Sequence, residues 1–185
     1  VALSLRPWAR YMPALEVGGA TLYIKPIWQP LSQAPYLDKL RDQRIGYDSR
    51  LWDDVRGEGG HHVVVSDQDI EGMIDDGYDT VLHEVSHQVN AILAPRWDRK
   101  IESLYAAATR RQAGRGNAFM SNYAASSVLE YFAEGCNALN HHRRNAYDER
   151  EIVYERLAQR DPALLELVRE IMFHADVKPS YAMSL

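Results

Sequence analysis

A mixed α+β fold, mostly helical with a small β-sheet ahead of one histidine-bearing helix, is what this sequence predicts. Three observations carry the prediction. Apolar residues recur at helical spacing through several long segments of the second half. Only two short runs, both in the first half, read as strands. The 185 residues are 46% hydrophobic and 25% charged with no Gly/Ser-rich or Pro-rich linker, which fits a single globular domain over residues 1–185 with a sizeable core.

Residues 1–34 are rich in Pro and aromatics, and the one regular element they predict is a strand at Ala20–Ile24, closed by Pro26, with Pro30 and Pro35 in loops. Tyr36–Arg44 reads as helix. Ile45–Gly60 carries Gly46, Gly57, Gly59 and Gly60 and reads as loop around a short element at Ser49–Val55. His61–Ser66, with three consecutive valines, reads as the second strand, and Asp67–Asp76 as an acidic connection with a helical turn at Asp69–Ile74. Asp79 or Thr80 then caps a helix running to Leu93, whose Val81, Leu82, Val85, Val89, Ile92 and Leu93 form an apolar face. Pro95 opens the next helix, Arg96–Ala113, which buries Trp97, Ile101, Leu104, Tyr105 and Ala108 and is stopped by Gly114 in a polar turn, Gly114–Asn117. Three further helices are predicted at Ser126–Asn140, Ala146–Gln159 and Pro162–Ala175, the last capped by Asp161.

Composition excludes several function classes. The formal net charge is -5 and the basic residues are scattered, with Arg110, Arg111 and Arg115 or Arg143 and Arg144 as the small clusters, so nucleic acid is not an expected partner. Cys136 is the single cysteine, which rules out an intrachain disulfide and a cysteine-based zinc site and reads as a small buried hydrophobe. No apolar run reaches the length of a membrane span and no signal peptide is visible, while the chain begins at Val1 rather than Met and is expected to come from a longer protein. Secretion and a cytoplasmic location both stay open, as does the oligomeric state.

The helix from Asp79 carries His83-Glu84-Val85-Ser86-His87, an H-E-x-x-H. Residues four apart share a helix face, so both imidazoles can hold one zinc ion while Glu84 reaches the water that the ion activates, as general base. On a surface helix the same residues would be only a solvated polar stripe, but this helix has an apolar face suited to burial, where a histidine pair needs partners.

A catalytic zinc needs a third protein ligand and an open position. The metzincin extension fails, because Asn90 stands where its glycine belongs and Leu93 where its third histidine belongs. A carboxylate from a later helix is the remaining common solution. Glu130 and Glu134 lie one helical turn apart among Leu129, Tyr131, Phe132 and Ala133, where unpaired carboxylates are costly. Glu130 is the expected ligand, and Glu134 the acceptor for the ring N–H of a ligand histidine.

With these residues in hand, the region of about 60–140 resembles the gluzincin metallopeptidases, and within them the lethal-factor-like peptidases, whose H-E-x-x-H helix is followed by a Y-x(6)-E-[FY]-F-A-E segment. Tyr123, Glu130, Tyr131, Phe132, Ala133 and Glu134 match that segment. The resemblance implies a zincin-type metallopeptidase domain, with zinc on His83, His87 and Glu130, Glu84 as general base and Tyr123 as the tyrosine that stabilises the transition state. It also implies a peptide or protein substrate, held in extended form along the Val63–Val65 strand. The gap from His87 to Glu130 is longer than in thermolysin-like enzymes and zinc aminopeptidases, and the N-terminal part matches no family pattern.

The residues also have plainer readings. Ser127-x-x-Glu130 fits a capping box, which Ser126 as the cap would release. Tyr123, about two helical turns before Glu130 and so on its side, also fits a core position. Glu134 fits a solvated face, His141 and His142 a helix C-terminus, His61 and His62 a structural or solvent-facing role, and Trp52 and Trp97 the core. The expected activity is a zinc-dependent endopeptidase. A non-catalytic peptidase-like module that binds a peptide or a protein regulator, and a helical interaction domain without metal, are the alternatives.

Overall fold

The computed structural model describes residues 1–45, 49–55, 57–71, 78–116, 118–141 and 153–181. In chain order these form α1 (Ala2–Leu5), a 3-10 segment (Arg6–Tyr11), α2 (Met12–Val17), β1 (Thr21–Lys25), β2 (His62–Ser66), α3 (Asp67–Glu71), α4 (Thr80–Ile92), α5 (Pro95–Arg115), α6 (Val128–Asn140), α7 (Tyr154–Arg160) and α8 (Pro162–His174). Short 3-10 turns at Leu31–Gln33, Asp38–Leu40 and Trp52–Asp54 lie between the strands. The protein is mostly helical with a small sheet, the coarse architecture expected.

β1 and β2 pair in parallel, Thr21 opposite His62 through Lys25 opposite Ser66. The valine run of β2 is apolar at every position because both faces are covered. Val63 and Val65 join the main core with Trp8, Leu82, Val85, Val89, Phe132, Leu164 and Ile171, while Val64 points the other way into a smaller cluster with Leu31, Ala34 and Leu37. α4 packs against β2 on one side and α6 on the other, and α6 packs in turn on α8.

Four sets of hydrogen bonds fix α4 in this frame. The Asp79 side chain caps it, its Oδ1 accepting from Leu82 N at 2.9 Å. Asn137 of α6 clasps the same cap, donating Nδ2–H to Asp79 O at 3.0 Å and accepting Asp79 N–H at 3.3 Å. Gln88 Nε2 donates to Thr21 O and His61 O, both at 2.9 Å, which ties the helix to the sheet. From behind, Trp8 Nε1 donates to Ser86 Oγ at 3.1 Å.

The N-terminal residues hold more structure than their sequence predicts. Trp8 and Tyr11 are fully buried, and the Tyr11 hydroxyl donates to Ile171 O of α8. Tyr36–Arg44 is not a helix: Tyr36 and Asp42 have φ of 70° and 59°, a conformation no α-helix accommodates, and one 3-10 turn is left between them. Its apolar residues serve the small cluster instead, with Leu37 buried and Leu40 packed against it. α5 runs through Gly114 and ends before Gly116, which has φ of 66°. α6 begins at Val128 rather than Ser126, capped by Ser127. The expected turn at Asp69–Ile74 is found as α3, its last part lying outside the described residues. So do the first part of the expected helix Ala146–Gln159, His142, and the pair Arg143 and Arg144. α8 is capped as expected, Asp161 Oδ1 accepting Leu164 N–H at 3.2 Å. Among the described residues no helix is long and apolar enough to cross a membrane.

Candidate metal centre

α4 presents His83 and His87 on one face, and α6 brings Glu130 up to them. The two Nε2 atoms are 3.3 Å apart, and Glu130 Oε2 lies 3.1 Å from His83 Nε2 and 3.7 Å from His87 Nε2. These separations are short, yet Oε2 is buried and, while both Nε2 atoms are unprotonated, has no donor directed at it. A buried carboxylate oxygen left without a donor is costly, and a cation among the three atoms removes the cost. Two imidazoles and a carboxylate are the donor set of hydrolytic zinc sites, so the residues fit that ion.

Ser127 caps α6 by accepting Glu130 N–H at 3.1 Å. The Glu130 carboxylate nevertheless turns to the histidines, so the capping serine and the metal-facing glutamate coexist at the same helix end. Burial would raise the Glu130 carboxyl, but His83, His87 and the Tyr123 hydroxyl hold it below its ordinary range.

Glu134 is completely buried behind His83. Its Oε1 lies 3.1 Å from His83 Nδ1 and accepts the Tyr78 hydroxyl at 2.8 Å, while that hydroxyl is also 2.8 Å from His83 Nδ1. Tyr78 has one proton and gives it to Glu134, so Nδ1 must carry its own, which leaves the Nε2 lone pair of neutral His83 for a metal. Burial alone would depress His83, but hydrogen bonds to Glu130 and Glu134 outweigh it and lift the metal-free side chain to about 10. The extra proton stands where a bound cation would. His87 goes the other way, held near 4 by burial and by its charged neighbour, so it offers a free lone pair.

Glu84 faces a cleft of about 310 Å³ lined by Trp52, Gly57–Gly60, His87, Tyr123, Leu129 and Glu130. Burial pushes its carboxyl up to about 7. Tyr123 does not sit on α6, which begins beyond it; it reaches the site from the turns before the helix, with its ring 6.0 Å from that of His83. A roomier hollow of about 830 Å³ near the start of α4, lined by residues such as Arg6, Leu82 and His141, holds none of these groups.

The Val63–Val65 strand does not offer a free edge, which corrects the expected substrate position. β1 takes one side, and on the other Val64 exchanges both backbone hydrogen bonds with Glu58 at 3.0 Å. The backbone bordering the cleft is therefore Gly57–Gly60. Glycine is required there: a Cβ on Gly59 would lie 2.5 Å from Glu84 Oε2 and 2.7 Å from His87 Cδ2.

Sequence reasoning missed Tyr78, Asn137 and the glycine edge. Tyr78 directly precedes the Asp79 cap, where a buried aromatic was the available signal, and the run Gly57-Glu58-Gly59-Gly60 was legible only as loop. Trp52 is half-buried, packed on the small cluster and bordering the cleft, whereas Trp97 is buried. His62 stacks on Tyr36 at 4.0 Å and contacts Thr21 Oγ1, and His141 contacts Asn137 O, so neither joins the site. Cys136 is buried, its thiol pushed up by burial and unsuited to nucleophilic chemistry. No family model, curated protein or solved structure matches the chain, and its chemistry is read from this geometry alone.

Proposed function

We propose that the protein is a zinc-dependent endopeptidase of the gluzincin kind. The observation that carries this reading is the buried Glu130 Oε2 set against two imidazole Nε2 atoms, with Glu84 on the same cleft. Zinc held by His83, His87 and Glu130 supplies Lewis acidity, polarising the scissile carbonyl and acidifying water. Glu84 accepts the proton of the attacking water and passes it to the leaving amine, and its desolvation makes it a stronger base than an exposed glutamate. Tyr123 donates its hydroxyl to the carbonyl oxygen as negative charge gathers there. Glu134 and Tyr78 orient His83 by holding its Nδ1 proton. In an antiparallel pair the backbone groups alternate in direction, so with Glu58 turned to β2 the N–H and C=O groups of Gly57 and Gly59 face outward to take an extended peptide by strand addition.

Elemental analysis of protein purified without chelator is expected to find about one zinc per chain, lost in His83→Ala and in His87→Ala. Metal content near zero that added zinc does not raise removes the proposal.

Titration against a chromogenic chelator separates the two glutamates. Glu130→Ala is expected to weaken zinc binding far more than Glu134→Ala, whose cost as an orienting partner is about 10- to 100-fold. Small and equal losses would leave Glu130 with a capping role only.

A further inference from the structure

Glu58 carries a half-buried carboxylate on the border of the cleft. It makes no side-chain hydrogen bond or ion pair among the described residues, although burial pushes its carboxyl up to about 7 and only Lys39 pulls the other way. Directly opposed residues of an antiparallel pair share a face, so the Glu58 side chain stands on the Val64 side of the sheet. Trp52, packed on the cluster that contains Val64, borders the cleft on that side. Gly59 turns the other way, towards Glu84 and His87.

The geometry points to Glu58 and Trp52 as a subsite that selects a Lys or Arg side chain of the substrate close to the scissile bond. This rests on the peptidase reading above. A peptide added to the Gly57–Gly60 edge alternates its side chains between the metal face and the Glu58 face. Because the Glu58 N–H and C=O are turned to Val64, the peptide residue opposite Glu58 forms a non-hydrogen-bonded pair, the closer kind, with Cα atoms about 4.5 Å apart. Gly59 lies against Glu84, so that peptide residue is within about one or two positions of the bond attacked. A cationic head meets the unpaired carboxylate there, and its alkyl stem or guanidinium plane lies along the Trp52 ring. A half-buried carboxylate without a partner favours this exchange, since the incoming charge offsets a desolvation already suffered.

Positional-scanning peptide mixtures, cleaved by the zinc-loaded protein, test this. The wild type is expected to favour Lys or Arg at one fixed position beside the cleaved bond. In Glu58→Gln the ratio of kcat/KM for the Lys peptide over its Ala counterpart falls about tenfold, as expected for loss of one partly exposed charge pair. In Glu58→Lys the preference turns to Asp or Glu at the same position. Val64 amide exchange remains slow in Glu58→Gln, because the bridge uses backbone groups only. Cleavage without a cation preference, or a preference that survives Glu58→Gln, overturns the subsite and leaves the peptidase reading standing. No cleavage of any mixture by the zinc-loaded wild type overturns both.

Discussion

Glu84→Gln is expected to keep its zinc and its fold and to lose hydrolysis by about 10²- to 10⁴-fold, the contribution of a positioned general base. The amide has nearly the shape of the carboxylate, so it fits beneath Gly59, where the missing Cβ leaves room for Glu84 Oε2. What it lacks is the ability to take a proton. Burial has raised the Glu84 carboxyl towards neutrality, which matches its basicity to the task, and among the described residues no other unassigned carboxylate shares that face of the cleft. Steady-state rates on a cleaved peptide, with metal content measured on the same sample, decide the matter. A variant that keeps its zinc and the wild-type rate would remove Glu84 from the mechanism.

Tyr123→Phe is expected to lower kcat by about 10²- to 10³-fold while KM and metal content stay close to wild type, the pattern of a hydrogen bond made only as charge develops. The metal-free geometry supplies a competing account, because the Tyr123 hydroxyl interacts with Glu130. Were its purpose to hold that carboxylate in place, deleting it would weaken zinc binding and leave the rate of fully loaded protein intact. Rates measured at saturating zinc therefore separate the two roles. An unchanged kcat there would end the assignment.

The parts of the site that were legible in the sequence are those where local and tertiary demands agree. His83 and His87 share a face because helix geometry alone requires it, and the Asp79 cap with Val81, Leu82, Val85 and Val89 makes that helix unambiguous. Glu130 and Glu134 were legible for the same reason, the burial of Tyr131, Phe132 and Ala133 around them following from their apolar spacing. Tyr123 illustrates the limit: its place beside Glu130 was expected from two turns of helix, but Ser127 starts the helix later and the tyrosine arrives through irregular turns. Tyr36–Arg44 fails more simply, since two positive φ angles are tertiary choices that propensity does not report. Tyr78, Asn137 and the Gly57–Gly60 edge act through contacts with residues distant in sequence, and no local pattern encodes such a meeting.

The clasp between Asp79 and Asn137 bears on how the proposed site would take up an ion. In a zinc finger the ligands meet only when metal brings them together, and uptake and folding are a single event. Here α4 and α6 are fastened at the cap of one and the last turn of the other, and a common apolar core surrounds the joint. An ion proposed for this site would meet two helices that these bonds already join, so stripping it with a chelator is expected to leave the helices and their far-UV signal in place. Such a seat would act as a template, discriminating among ions by coordination geometry rather than by which of them can drive the chain to fold.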